Sequence, residues 1–136
     1  MKSLIQEMLM RHEGFRGTPY LDTKGNWTIG YGRHRPITEE EGRYLLDNDI
    51  ELARQGLPRI LPCFARLSEI RQSVLIDMYV NMGMPRLRLF VKTLDAVECG
   101  DWGIAADEML DSRWARELPN RAGELSEMMR TNREVD

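Results

Sequence analysis

The chain has 136 residues, 42% of them hydrophobic and 30% charged, with a formal net charge of -3. That length is enough for one compact domain and leaves no room for a second full one. The small acidic surplus argues against a nucleic-acid binder, which would concentrate basic residues on one face, and no apolar run approaches the length of a membrane span.

The start, MKSLIQEMLMRHEGF, carries Gln6, Glu7 and Arg11 inside what would be a signal-peptide core, so no signal peptide is expected. Leu4, Ile5, Met8 and Leu9 recur at helical spacing, with Ser3 placed to cap the start and Gly14 to stop the chain after Glu13. This predicts a first helix over about Ser3 to His12. Thr18–Leu21 and Asn26–Tyr31 then flank the turn-forming Asp22-Thr23-Lys24-Gly25, the pattern of a β-hairpin. Trp27, Ile29 and Tyr31 alternate with Thr28 and Gly30, so Thr28 is predicted to face away from the aromatic layer.

After Pro36 the period turns helical. Thr38 with Glu41 forms a capping-box pattern opening a helix to about Gln55, with Gly56 and Pro58 ending it. From Ser68 to Met82, the positions Ile70, Val74, Leu75, Met78 and Met82 mark the most apolar helix and the expected centre of the core. Further helices are expected over about Leu87–Glu98, Asp101–Leu110 and Pro119–Arg130, with Gly100 at a helix end, Asp101 as the next cap and Pro119 in a first turn. Trp102 and Trp114 are expected in the core, and the nine methionines as fillers of its gaps. Cys63 and Cys99 are too few for a disulfide framework and are read as reduced thiols. No cofactor is implied, since no His/Cys cluster has metal-ligand spacing and no phosphate-cradling loop occurs.

The segment from His12 to Arg33, HEGFRGTPYLDTKGNWTIGYGR, carries the chemistry. Glu13 sits at the carbonyl end of the first helix, whose partial negative charge favours the protonated carboxyl of a general acid. Asp22, in the turn, would stay ionised beside water and backbone N–H groups. Two carboxyls pushed apart in this way suit glycosidic-bond hydrolysis, in which one protonates the leaving oxygen and the other handles water.

Glu13, eight intervening residues, Asp22, five more and then Thr28 lie within EG-x5-Y-x-D-x2-G-x2-TIGYG. This resembles the phage-type lysozymes, glycoside hydrolase family 24, as found in T-even phages. Met78–Gly83 (MYVNMG), Ser112-Arg113-Trp114 and Pro119-Asn120-Arg121-Ala122 extend the resemblance over nearly the whole chain. It implies hydrolysis of the β-1,4 bond between N-acetylmuramic acid and N-acetylglucosamine in peptidoglycan, with inversion. Glu13 would be the acid, Asp22 the water-side carboxylate, Thr28 the residue positioning that water and Arg121 the partner of Glu13. Such a partner favours the ionised form of Glu13 and so opposes the helix-end effect. Asn81, Val80 and Thr93 match the family's substrate-contacting positions, as does Glu108, which departs from the family's small or amide side chains there.

The implied fold is α+β and mainly helical: a single lysozyme-like domain over 1–136, with a small β-hairpin lobe at about 14–37, a connecting helix at about 38–55, and a helical lobe at about 56–131 completed by the first helix, residues 3–12. A cleft would lie between the lobes. Where long members of the family place a longer segment, only four residues separate Arg33 from Thr38, so the small lobe is expected to be reduced; and where the family often has a histidine after Gly-Tyr-Gly, Arg33 is expected to pair with Asp49 in place of a histidine–carboxylate pair. The resemblance further implies a monomeric phage or prophage endolysin that is held in the host cytoplasm and depends on a holin to reach periplasmic peptidoglycan. No nucleic-acid partner and no stable membrane insertion are expected. The alternatives are a lytic transglycosylase and a murein-binding or virion structural module that kept the fold without turnover.

Overall fold

Residues 3–14, 16–21, 27–30 and 38–135 are described by a computed structural model of the chain. Ser3 opens the first helix, α1 (Leu4–Glu13), through a reciprocal cap: its N–H donates to Gln6 Oε1 at 3.0 Å, and Gln6 N–H donates back to Ser3 Oγ at 3.3 Å. Ile5, Met8 and Leu9 form its buried stripe. Gly14 ends the helix at φ 64°, a backbone conformation that glycine adopts without the Cβ penalty, and its N–H closes on the Met10 carbonyl at 2.9 Å. Glu13 is thus the last residue of α1.

Two strands follow, β1 (Arg16–Leu21) and β2 (Trp27–Gly30), paired antiparallel with Tyr20 opposite Thr28 and Leu21 opposite Trp27. The ladder is irregular between Arg16 and Tyr20. The chain then enters α2 (Glu39–Ile60), whose first turn is capped by Thr38 Oγ1 accepting from Glu41 N–H at 3.1 Å. A hydrogen bond from Gln6 Nε2 to Asp47 Oδ1 joins α1 to α2.

After a 3₁₀ turn at Phe64–Arg66 come α3 (Glu69–Met82), α4 (Met84–Leu87), α5 (Val91–Cys99), α6 (Trp102–Leu110), α7 (Arg113–Glu117) and α8 (Pro119–Thr131). Six consecutive residues of α3, Ser73 to Met78, are buried, so this helix is enclosed on all sides. Helix α6 packs on α5 and α8, while α8 also packs on α3 and α7. The chain divides into two compact units, Met1–Leu52 and Ala53–Asp136, with α2 contributing to both.

The fold is mainly helical, as expected, but the expected α+β class with a hairpin lobe is overturned. A pair of strands six and four residues long cannot build a hydrophobic layer of its own, for which three or more strands or a covering helix are needed. The turn expected at Asp22–Gly25 and the shortened segment after Arg33 lie outside the described residues.

Helix boundaries differ at two places. Helix α2 continues through Gly56 and Pro58 to Ile60, because its C-terminal turns carry Ala53, Leu57 and, just beyond, Leu61, all fully buried. The helix expected over Leu87–Glu98 is divided between α4 and α5. Trp114 is buried as expected, but Trp102 is only half-buried, lying under the Arg71 guanidinium at 3.8 Å. A cation on an indole face keeps one side of the ring polar, which the spacing of apolar residues does not reveal.

Candidate active site

Glu13 is half-buried at the end of α1, beyond the basic residues Arg11 and His12 of its last turn. Thr28 lies in β2 at the register position opposite Tyr20, and Asp22 lies outside the described residues. Arg33, expected to pair with Asp49, also lies outside them.

Arg121 belongs to the second unit, in the first turn of α8, which Pro119 opens as a first helical residue. Its Nε donates to Asp77 Oδ1 at 2.8 Å, and the two side chains are 10% and 0% exposed. Asp77 was missed in the sequence, although its signal was present: an acid between Ile76 and Met78 in the most apolar helix needs a cation to offset its desolvation.

The expected substrate-contacting residues fall into two groups. Thr93, buried in the first turns of α5, and Glu108, half-buried in α6, line one pocket of about 410 Å³ together with Arg86, Phe90, Lys92 and Trp114. That volume suits a small-molecule or sugar-sized ligand. Val80 and Asn81 sit half-buried near the end of α3 and are not part of this lining. Asn81 is nevertheless tied to the pocket wall, since its Oδ1 accepts from Trp114 Nε1 at 2.8 Å. The indole can only donate, so the bond fixes the amide orientation and turns the NH₂ away from Trp114. Phe90 meets Trp114 edge to face at 6.2 Å.

The Ser112-Arg113-Trp114 motif has a distinct task at each position. Ser112 Oγ caps α7 by accepting from Ala115 N–H at 3.1 Å and donates to the Met109 carbonyl at 2.7 Å. Arg113 pairs with Glu117 at 2.8 Å, and Arg86 reaches the other oxygen of the same carboxylate at 4.0 Å. Lys92, Glu108 and Asp111 complete a pocket rim that carries both signs of charge. Among the described residues, no group of three or more His, Cys, Asp or Glu side chains is placed to hold a metal ion.

The first unit thus holds a glutamate at a helix end and a threonine in a short strand, and the second holds a buried arginine–aspartate pair and a pocket lined by both signs of charge. The phage lysozyme family matches residues 10–134, and the chain belongs to that family. It is 27% identical over 163 aligned positions to the probable T4-type lysozyme 1 of Dictyostelium discoideum, with 96% of each chain covered. It is 24% identical to that organism's probable T4-type lysozyme 2, again over 96% of each. It is also 27% identical to the pre-baseplate central spike protein Gp5 of Enterobacteria phage T4, where the match covers 93% of this chain and 28% of that protein. Membership of a lysozyme family makes peptidoglycan the substrate class. Among the described residues, no helix is long and apolar enough to cross a membrane.

Proposed function

We propose that this chain is a muramidase that hydrolyses the β-1,4 bond between N-acetylmuramic acid and N-acetylglucosamine with inversion. Glu13 protonates the glycosidic oxygen, Asp22 assists water from the opposite face, and Thr28 positions that water. Inversion requires the two carboxyl groups to stand roughly 6.5 to 9.5 Å apart, leaving room for the water. Arg121 supports Glu13, while Asn81, Val80, Thr93 and Glu108 contact the glycan. The observation that carries this reading is the family match over residues 10–134, which includes Glu13, Asp22, Thr28 and Arg121 in one chain. Its biological role is that of a phage or prophage endolysin: a monomer held in the host cytoplasm until a holin gives it access to periplasmic peptidoglycan.

The match to part of a spike protein favours a second reading, a virion module that binds murein. A turbidity assay on outer-membrane-permeabilised cells decides between the two. The parent protein should clear the suspension and Glu13→Gln should slow clearing by at least about a hundredfold, the scale on which a positioned acid acts. A parent protein that binds purified sacculi and clears nothing establishes the binding module. Products bearing a reducing end support hydrolysis, whereas products one water lighter mark anhydro-sugar formation.

A further inference from the structure

Among the described residues, Asp77 is the one acidic residue buried as a whole. It lies in mid-α3, and the ion pair from its Oδ1 to Arg121 Nε links α3 to the first turn of α8. We propose that Asp77 is a positioning residue for the hydrolysis, acting through Arg121 by fixing the plane of its guanidinium. The proposal rests on the reading of Arg121 as the partner of Glu13.

An arginine side chain turns about several single bonds, and its two Nη groups sweep widely unless something fixes the head. Bonding at Nε does this best, because Nε is nearest the chain: once it is engaged, the plane of the guanidinium and the direction of both Nη groups follow. The carboxylate that engages it is itself immobile, being 0% exposed and carried by a helix whose neighbouring residues are enclosed. A surface acid at the same distance would exchange with water and hold the head loosely. Desolvation also makes a neutral substitute a poor replacement, since a charge-assisted bond is shorter and more directional than one to an amide oxygen. Asp77 therefore supplies orientation to a group that would touch the reacting acid, without touching substrate itself.

The test compares the parent, Asp77→Asn, Arg121→Met and the double variant, measuring kcat and KM on solubilised uncross-linked glycan strands and the melting temperature of each. Asp77→Asn should lower kcat by about tenfold to a hundredfold, the cost of a misplaced catalytic group, with KM nearly unchanged. The double variant should melt above either single variant, because removing both partners of a buried pair leaves no uncompensated charge. Its kcat should nevertheless be no lower than that of Arg121→Met. Stability that recovers while activity does not is the signature of action through Arg121. Parent-like kcat in Asp77→Asn, kcat that tracks melting temperature across the four proteins, or losses that multiply in the double variant would each overturn the proposal. Parent-like kcat in Arg121→Met removes its premise, and that failure is distinct from the failure of the muramidase reading, which an active Glu13→Gln would show.

Discussion

Cys63 is 5% exposed; its backbone N–H donates to Glu98 Oε1 at 2.6 Å and its Sγ lies 4.0 Å from the Val97 carbonyl. Burial, followed by the hydrogen bond and negative charge of Glu98, pushes its pKa up from 9.0 to about 11. At pH 8 it therefore holds roughly one hundredfold less thiolate than an ordinary cysteine, and thiolate is the reacting form. Cys99 is exposed. A disulfide reagent at pH 8 should modify one thiol per folded molecule quickly, and the second only on denaturation. Two equivalents consumed at one rate would contradict this environment. Because folding holds this proton more tightly than the unfolded chain does, the stabilisation is fully present below pH 9 and is lost as pH rises through about 11. At the same scale, motifs mark Glu13 and Arg121 as candidates and an acid in the most apolar helix marks Asp77, whereas the pairing of Asp77 with Arg121 and the stacking of Arg71 on Trp102 are not legible in the sequence. Such pairings join residues distant in sequence, and spacing along one helix does not predict them.

Gly56 and Pro58 look like a stop signal and are not one, which shows how far an element's end depends on its neighbours. A Cβ built on Gly56 would meet Tyr79 Oη at 2.6 Å, with Tyr79 Cε2 and Met84 Cε at 3.1 Å. The glycine lets α2 approach the last turns of α3 closely, and the helix continues because burying Leu57 and Leu61 outweighs its weak helix propensity. In an open helix Gly→Ala would gain roughly 0.5 to 1 kcal/mol. Here Gly56→Ala should instead lose roughly 1 to 3 kcal/mol through overpacking, and adding Tyr79→Phe should return part of the loss by removing the hydroxyl. Urea midpoints of the two variants check this; a Gly56→Ala protein as stable as its parent would show that Tyr79 moves aside freely. Helix α1 was legible because its cap Ser3 and its apolar period agree with each other, α3 because of its apolar period, and α6 and α8 because Gly100 and Pro119 mark their starts, although Asp101 makes no side-chain cap to α6. The α4–α5 break was not, since no glycine or proline stands at residues 88–90 to mark it.

For the molecule as a whole, alternation along Trp27–Gly30 pointed to a strand but could not give the fold class, because class depends on how much of the chain joins the sheet. Among the described residues, ten in strands against ten or more in each of α1, α2, α3 and α8 leave the fold mainly helical. Charge, by contrast, is a property the sequence states directly. Acids outnumber bases in each of the two units, so neither presents a cationic surplus to an anionic cell wall. Long-range repulsion then opposes encounter, and added salt should weaken it as the screening length falls from about 30 Å at 0.01 M to about 10 Å at 0.1 M. On permeabilised cells, the initial clearing rate at low enzyme should rise by about twofold over that range, while kcat on soluble uncharged glycan fragments stays constant. A basic muramidase would show the reverse, losing rate as salt screens its attraction. If this protein also lost rate, its cationic side chains at the pocket, Arg86, Lys92 and Arg113, would have to govern encounter in spite of the net charge.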